Sequence, residues 1–210
     1  MKERKIGIMG GTFNPVHLGH LMLAEKAREQ FLLDEIWFMP LKNPPHKEKD
    51  NRITDEERVI MLQLAIETNS AFQISFLELK REGITYTVDT LRELSETKKN
   101  YAFYFILGAD SLFQIETWRE PDQIMKLSCL LVGGRDEIPH KTLQSQIEFL
   151  EEKYKGKIGL IDFPQIAISS QEIRELLKEK KSIKYLVPEP VYNFIMKEHL
   201  YQEEGGKRYD

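Results

Sequence analysis

What most limits the folds open to this chain is a rhythm of short apolar segments. Six runs, "KIGIMG", "EIWFMP", "FQISFLEL", "YAFYFILG", "CLLVGG" and "KIGLIDF", are apolar, rich in β-branched and aromatic residues, and bounded by glycine or proline. They read as buried strands. Amphipathic helical stretches lie between most of them. "LGHLMLAEKAREQF" places Leu21, Ala24, Ala27 and Phe31 at helical spacing. "TDEERVIMLQLAIE" opens with Thr54 and Glu57 in a capping-box pattern and continues with Val59, Leu62 and Ile66 on one face. Strand alternating with helix predicts an α/β fold, a doubly wound parallel sheet in three α/β/α layers with right-handed crossovers. The last stretches before the C-terminus read as helical. Ligands of such sheets bind beyond the carboxyl ends of the strands.

At 210 residues, 41% of them hydrophobic, the chain can bury one sizeable core. We expect one domain over residues 1–200 and a disordered tail over 201–210, where "YQEEGGKRYD" is polar and glycine-rich. The formal net charge of −4 disfavours a broad nucleic-acid surface, although an anion pocket can sit inside an acidic protein. Cys129 is the one cysteine, so a disulfide framework and a cysteine-rich zinc site are both excluded. No apolar run approaches the ~20 residues of a membrane span, and no signal-peptide core follows Met1. These features predict a cytoplasmic protein with small-molecule partners and no membrane partner. A homo-oligomer stays open. The paired-proline loop "LKNPPHKEKDNR" is long enough to be a binding loop over residues 42–53.

The first candidate site lies in "GIMGGTFNPVHLGH". Gly10 and Gly11 close the first strand, where glycine lets backbone N–H groups approach an anion. The spacing is neither a dinucleotide fingerprint nor a P-loop. Thr12 and Asn14 suit a turn or cap. His17 and His20 stand three apart, which on a helix brings two imidazoles to one ligand at the positive end of the dipole. A metal pair would need further ligands, and none is placed nearby. A phosphate site needs none. Gly19 costs a helix ~1 kcal/mol relative to alanine, a cost that makes sense if a side chain there would block a flat ring or sugar lying against the helix.

The second candidate lies in "ISSQEIRELLKEKK". Ser169 and Glu172 form a capping-box pattern at a helix start. Arg174 then sits in or just after the first turn, where a cation opposes the dipole unless an anion is shared between them. None of the positions three or four away is acidic: Ser170, Gln171, Leu177, Lys178. Ser170 could donate to the same anion.

"GGTFNPVHLGH" and "ISSQEIR" together resemble the two signatures of the HxGH nucleotidyltransferases. "WFMPLKNPPHK", "GITYTVDTL", "FILGADSL", "ETW" and "YLVPEPVYNFI" extend the resemblance, in order, to the bacterial nicotinate-nucleotide adenylyltransferase family. That resemblance implies a Rossmann-like fold and a reaction joining ATP and nicotinate mononucleotide into deamido-NAD and pyrophosphate, with Mg2+. It assigns catalytic phosphate contacts to His17, His20, Ser170 and Arg174. It implies further ATP contacts at Gly10, Gly11, Thr12, Phe13, Gly19, Gly108, Asp110, Arg135, Ile168 and Ser169. The nicotinate mononucleotide falls to Asn14, Lys42, Asn43, Thr85 and Trp118, with no dedicated metal ligand in the protein. Two positions depart from the family pattern: Gln171 stands where threonine is frequent, and Arg119 follows Trp118 where an aromatic is frequent. The competing readings are an HxGH enzyme with a phosphopantetheine acceptor and a non-catalytic nucleotide sensor.

Overall fold

The computed structural model describes residues 3–42, 53–134, 139–163 and 166–201. In chain order these form β1 (Arg4–Gly11), α1 (Leu18–Phe31), β2 (Glu35–Pro40), α2 (Asp55–Ile66) and β3 (Phe72–Ile74). Then follow α3 (Thr87–Thr97), β4 (Tyr101–Gly108), α4 (Ala109–Phe113), a 3-10 turn at Ile115–Thr117, α5 (Pro121–Leu127) and β5 (Cys129–Gly133). The chain continues through α6 (His140–Tyr154), β6 (Ile158–Ile161), α7 (Ser170–Lys178) and α8 (Glu189–Lys197). The six strands make one sheet in the order β3-β2-β1-β4-β5-β6, and every pairing is parallel. This is the doubly wound, Rossmann-like α/β fold that the alternation predicts.

Alternate residues of the central strands feed two cores. Ile6, Ile8, Phe103, Phe105, Leu107, Leu130 and Val132 face a layer that includes α3 to α6. Met9, Ile106 and Leu131 face the layer of α1, α2, α7 and α8. Helix α1 lies close on its face of the sheet because small residues meet there. Ala24 and Ala27 are fully buried. A Cβ on Gly133 would stand 2.8 Å from Leu23 Cδ1, and one on Gly159 would stand 2.6 Å from Phe31 Cε1. Those glycines make room for the half-buried Leu23 and Phe31 against the sheet, and so fix the helix whose start carries the histidines.

Three expectations need correction. "FQISFLEL" gives only the three-residue strand β3. The Ser75 N–H still donates to the Phe38 carbonyl (2.8 Å), but the chain then turns away as Glu78 is drawn beneath α3 by the Thr90 hydroxyl (2.7 Å). Polar residues alternate through that run, as suits an edge. On α2 the buried face is Arg58, Met61, Leu62, Ala65 and Ile66, while Val59 is half-buried. Tyr201, expected to begin the tail, is 3% exposed and belongs to the core. Residues 202–210 and most of the proline loop, 43–52, lie outside the described residues. Among the described residues no helix is long and apolar enough to cross a membrane.

Candidate active site

The sheet reverses its winding between β1 and β4, which pair side by side while their following helices, α1 and α4, pack into opposite layers. A crevice must open beyond the carboxyl ends of those two strands. A cavity of ≈ 1520 Å³ occupies it. That exceeds the usual ~300–1,000 Å³ of a pocket for one small ligand, so two substrates have room. Every described residue expected at the site lines this cavity except Thr85. Asn43 and Arg135 lie outside the described residues.

His17 and His20 are arranged differently from two neighbours on a helix. His17 is the N-cap, with extended backbone (φ −141°, ψ 168°), and α1 begins only at Leu18. The two close a capping box in which His20 Nδ1 accepts from the His17 N–H at 3.2 Å. Their rings stack, with centroids 3.6 Å apart and planes at 27°. The Phe13 ring meets His20 edge-on at 5.2 Å. Phe13 is 1% exposed, so its share of the cavity wall is essentially backbone. No acidic residue occupies the first turn of α1. The positive end of the helix, with no carboxylate of its own first turn, favours an anion.

Gly19 has a cause inside the protein. A Cβ there would stand 3.1 Å from His17 Nδ1, 3.2 Å from its Cε1 and 3.8 Å from the Ile168 carbonyl. The glycine lets the His17 imidazole lie close to α1, while a Cβ would meet the Ile168 carbonyl only at an ordinary contact distance.

At the start of α7 the Ser169 hydroxyl caps the helix by accepting from the Glu172 N–H (3.1 Å). Ser170 and Arg174 both reach the loop after β1. The Ser170 hydroxyl donates to the Pro15 carbonyl (2.9 Å), and Arg174 Nη1 donates to the Asn14 carbonyl (2.7 Å). Ser170 thus uses its single proton within the protein, whereas Arg174 has further N–H groups to turn to the cavity. Gln171, where threonine is frequent, donates to Glu175 Oε1 (2.9 Å).

Arg58 is a site residue that sequence reasoning missed. It is 6% exposed, lines the cavity, and donates to the carbonyls of Thr12 (2.5 Å) and Leu41 (2.8 Å) and to Asp55 Oδ1 (2.8 Å). One guanidinium ties together the chain leaving β1 and the chain leaving β2. The signal was present, because an arginine stands on the same face as Met61, Leu62 and Ala65.

Across the cavity, Trp118 follows the 3-10 turn, half-buried, with its ring perpendicular to Phe105 at 6.1 Å. Thr85 is 4% exposed and its hydroxyl has no hydrogen-bond partner among the described residues; Thr87, two residues on, lines the cavity in its place. Arg119 lies over the Tyr86 ring at 4.9 Å, so the departure at 119 caps the aromatic beside Thr85. Glu78 also lines the cavity and was not foreseen. Its Oε1 accepts from the Thr90 hydroxyl (2.7 Å), which itself accepts from Arg81 (2.9 Å). Burial pushes the Glu78 carboxyl up, against smaller opposite pulls from Thr90 and Arg81.

This geometry can be set beside known proteins. The cytidylyltransferase-like family model matches residues 8–176, from β1 into α7, and so spans both the histidine pair and Arg174. A protein of Lachnoclostridium phytofermentans named "Probable nicotinate-nucleotide adenylyltransferase" is 46% identical, covering 94% of this chain and 99% of its own length. The chain belongs to the nicotinate-nucleotide adenylyltransferase family, and with it to the nucleotidyltransferase enzymes. A relative of the same name from Desulfitobacterium hafniense (strain Y51) is 42% identical over 95% of this chain and 96% of its own. Among solved structures, the Plasmodium falciparum nicotinic acid mononucleotide adenylyltransferase complexed with NaAD superposes with a TM-score of 0.78. It is 24% identical, covers 94% of this chain and 97% of its own, and shares the fold.

Proposed function

We propose that the chain transfers the AMP part of ATP to nicotinate mononucleotide, giving deamido-NAD and pyrophosphate, by direct in-line attack. The observation that carries this reading is the meeting of two helix starts, with His17, His20 and Arg174, on one two-substrate cavity at the winding switch of a family member. The 5′-phosphate of the mononucleotide is itself a nucleophile, so no activated side chain is required. Its oxygen forms the new bond to the α-phosphorus while the bond from that phosphorus to the bridging oxygen of the β-phosphate breaks. Charge develops on the departing pyrophosphate. Donors already fixed by the fold stabilise it there, which is where catalysis by positioning and charge is most effective.

His17 and His20 are held by their capping box and by stacking, and Arg174 by its bond to Asn14. Ser170 acts through the backbone N–H groups of the α7 start while its hydroxyl braces Pro15. The residues present fit a magnesium ion carried on the nucleotide: Asp110 is a carboxylate on the cavity wall, and phosphate oxygens and water would complete the shell. Such an ion supplies neutralisation of phosphate charge.

On the acceptor side, Trp118 offers an aromatic face on the cavity wall, and Thr87 lines the same cavity. Asn14 and Lys42 reach the same cavity. N–H donors facing the ring substituent favour a carboxylate over an amide, whose NH2 would meet them unpaired. The test is pyrophosphate release from ATP and magnesium with nicotinate mononucleotide, nicotinamide mononucleotide and phosphopantetheine offered separately. Release with the nicotinate acceptor alone is expected. Equal release with the two mononucleotides would refute the acceptor preference, and release only with phosphopantetheine would refute the acceptor.

A further inference from the structure

Besides the hold of Arg58 on Thr12, the loop after β1 is fastened from segments late in the chain. Arg174 donates to the Asn14 carbonyl, Ser170 to the Pro15 carbonyl, and the Leu18 N–H to the Leu186 carbonyl at 3.0 Å. A fourth contact reaches a side chain. Tyr201 lies beyond α8, 187 positions after Asn14 in the chain, and its phenol donates to Asn14 Oδ1 at 2.6 Å. Tyr201 is 3% exposed, packed in the same core as α7 and α8. The phenol therefore has a fixed origin.

That contact orients an amide. An asparagine side chain has one oxygen that accepts and one NH2 that donates, on opposite sides of the same carbon. When a buried hydroxyl engages the oxygen, rotation that would exchange the two ends forfeits a buried hydrogen bond. The NH2 then points away from Tyr201. Asn14 is half-buried and lines the cavity, so an NH2 turned away from Tyr201 is available to a ligand there.

We propose that Tyr201 is a positioning residue for the transfer reaction, holding the Asn14 amide with its NH2 turned toward a phosphate or ribose oxygen of the mononucleotide. This rests on the reading of Asn14 as a contact to nicotinate mononucleotide. It gives the end of the chain a role in the acceptor half of the site, a place where the sequence reads as the start of a polar tail.

Tyr201→Phe removes the hydroxyl alone and keeps the ring in its packing. In the full chain, with pyrophosphate release as the assay, the expected result is a rise of about tenfold in the KM for nicotinate mononucleotide, the size of one lost hydrogen bond. The KM for ATP should stay within about twofold, with a thermal midpoint within roughly 4 °C of the unsubstituted chain. A purely structural role would raise both KM values or neither. Asn14→Ala supplies the second arm: if Tyr201 acts through Asn14, then Tyr201→Phe adds nothing in the Asn14→Ala background. An additive loss in the double variant, or an unchanged acceptor KM in an active Tyr201→Phe enzyme, would overturn the proposal while leaving the function reading intact. An unsubstituted chain that releases no pyrophosphate with nicotinate mononucleotide would overturn both.

Discussion

Gly19→Ala separates stability from catalysis at one atom. Alanine in place of glycine at the second helical position of α1 brings up to ~1 kcal/mol of helix propensity, somewhat less this near the end. The added Cβ would stand 3.1 Å from His17 Nδ1 and 3.2 Å from Cε1, against ordinary carbon contacts of ~3.5–4.0 Å, so the ring must move by roughly 0.3–0.5 Å. It has little room to do so. His17 is 6% exposed and stacks on His20 at 3.6 Å, so the displacement passes to the second imidazole. Moving a preorganised group by ~1 Å can cost ~100-fold in rate, so about half that shift should cost on the order of tenfold in kcat/KM. The thermal midpoint should remain within ~3 °C, since the propensity gain and the crowding offset each other. Pyrophosphate release and differential scanning calorimetry on the same preparation read the two quantities. A Gly19→Ala enzyme with native kcat/KM would show that the place of His17 does not matter to turnover, and the reasoning would fail.

His20→Ala removes one of the stacked rings and should lower kcat by ~100-fold, the usual cost of a lost preorganised donor, with circular dichroism unchanged; near-native turnover would remove the imidazoles from the mechanism. Arg58→Lys keeps the charge but not the fork that spans the Thr12 and Leu41 carbonyls. One carbonyl is left unpaired at ~1–3 kcal/mol, so the thermal midpoint should fall by roughly 4–8 °C. A midpoint equal to the parent's would show that the fork is dispensable. Burial raises the Glu78 carboxyl, so the folded chain holds that proton more tightly than the unfolded chain does. The associated stability is fully present below the ordinary glutamate range of about 4.3 and is lost as pH rises through the raised value. Glu78→Gln should remove this component, leaving a flatter profile of denaturation midpoint against pH from about 4 to 7; an unchanged profile would contradict it.

The parts of the fold that are repetitive in space are the parts that can be read from the sequence. Central strands covered on both faces appear as unbroken apolar runs, and five of the six match observed strands to within two residues at either end. The sixth, "FQISFLEL", fails because the chain turns away from β2 as Glu78 is drawn to Thr90 on α3, a contact between separate segments. The same division runs through the site. His17, His20 and Arg174 show themselves by breaking local rules of helix ends, and Ser169 by obeying one, as a serine N-cap. Arg58 breaks a rule too, a charge on an apolar face, but its partners are carbonyls, which leave no mark in a sequence. Tyr201 breaks none. An aromatic beside a leucine, followed by polar residues, looks like the end of a fold, and only its contact 187 positions away ties it to the loop after β1.

Those carbonyl contacts explain how a loop of unusual shape becomes a rigid one. Phe13 takes a left-handed backbone conformation (φ 47°) that a non-glycine residue adopts at some cost. Its neighbours are fastened on both sides by guanidinium groups from different helices, Thr12 by Arg58 on α2 and Asn14 by Arg174 on α7. The Phe13 ring, buried between His20 and Phe38, fixes the middle. A loop fixed at three successive residues pays little ordering entropy when an anion arrives, which is what preorganisation requires. Arg174 therefore serves two ends at once. One N–H holds the loop after β1 at Asn14 and the side chain also lines the cavity, so in the proposed reaction the loop and the contact to the departing pyrophosphate would be set by the same residue.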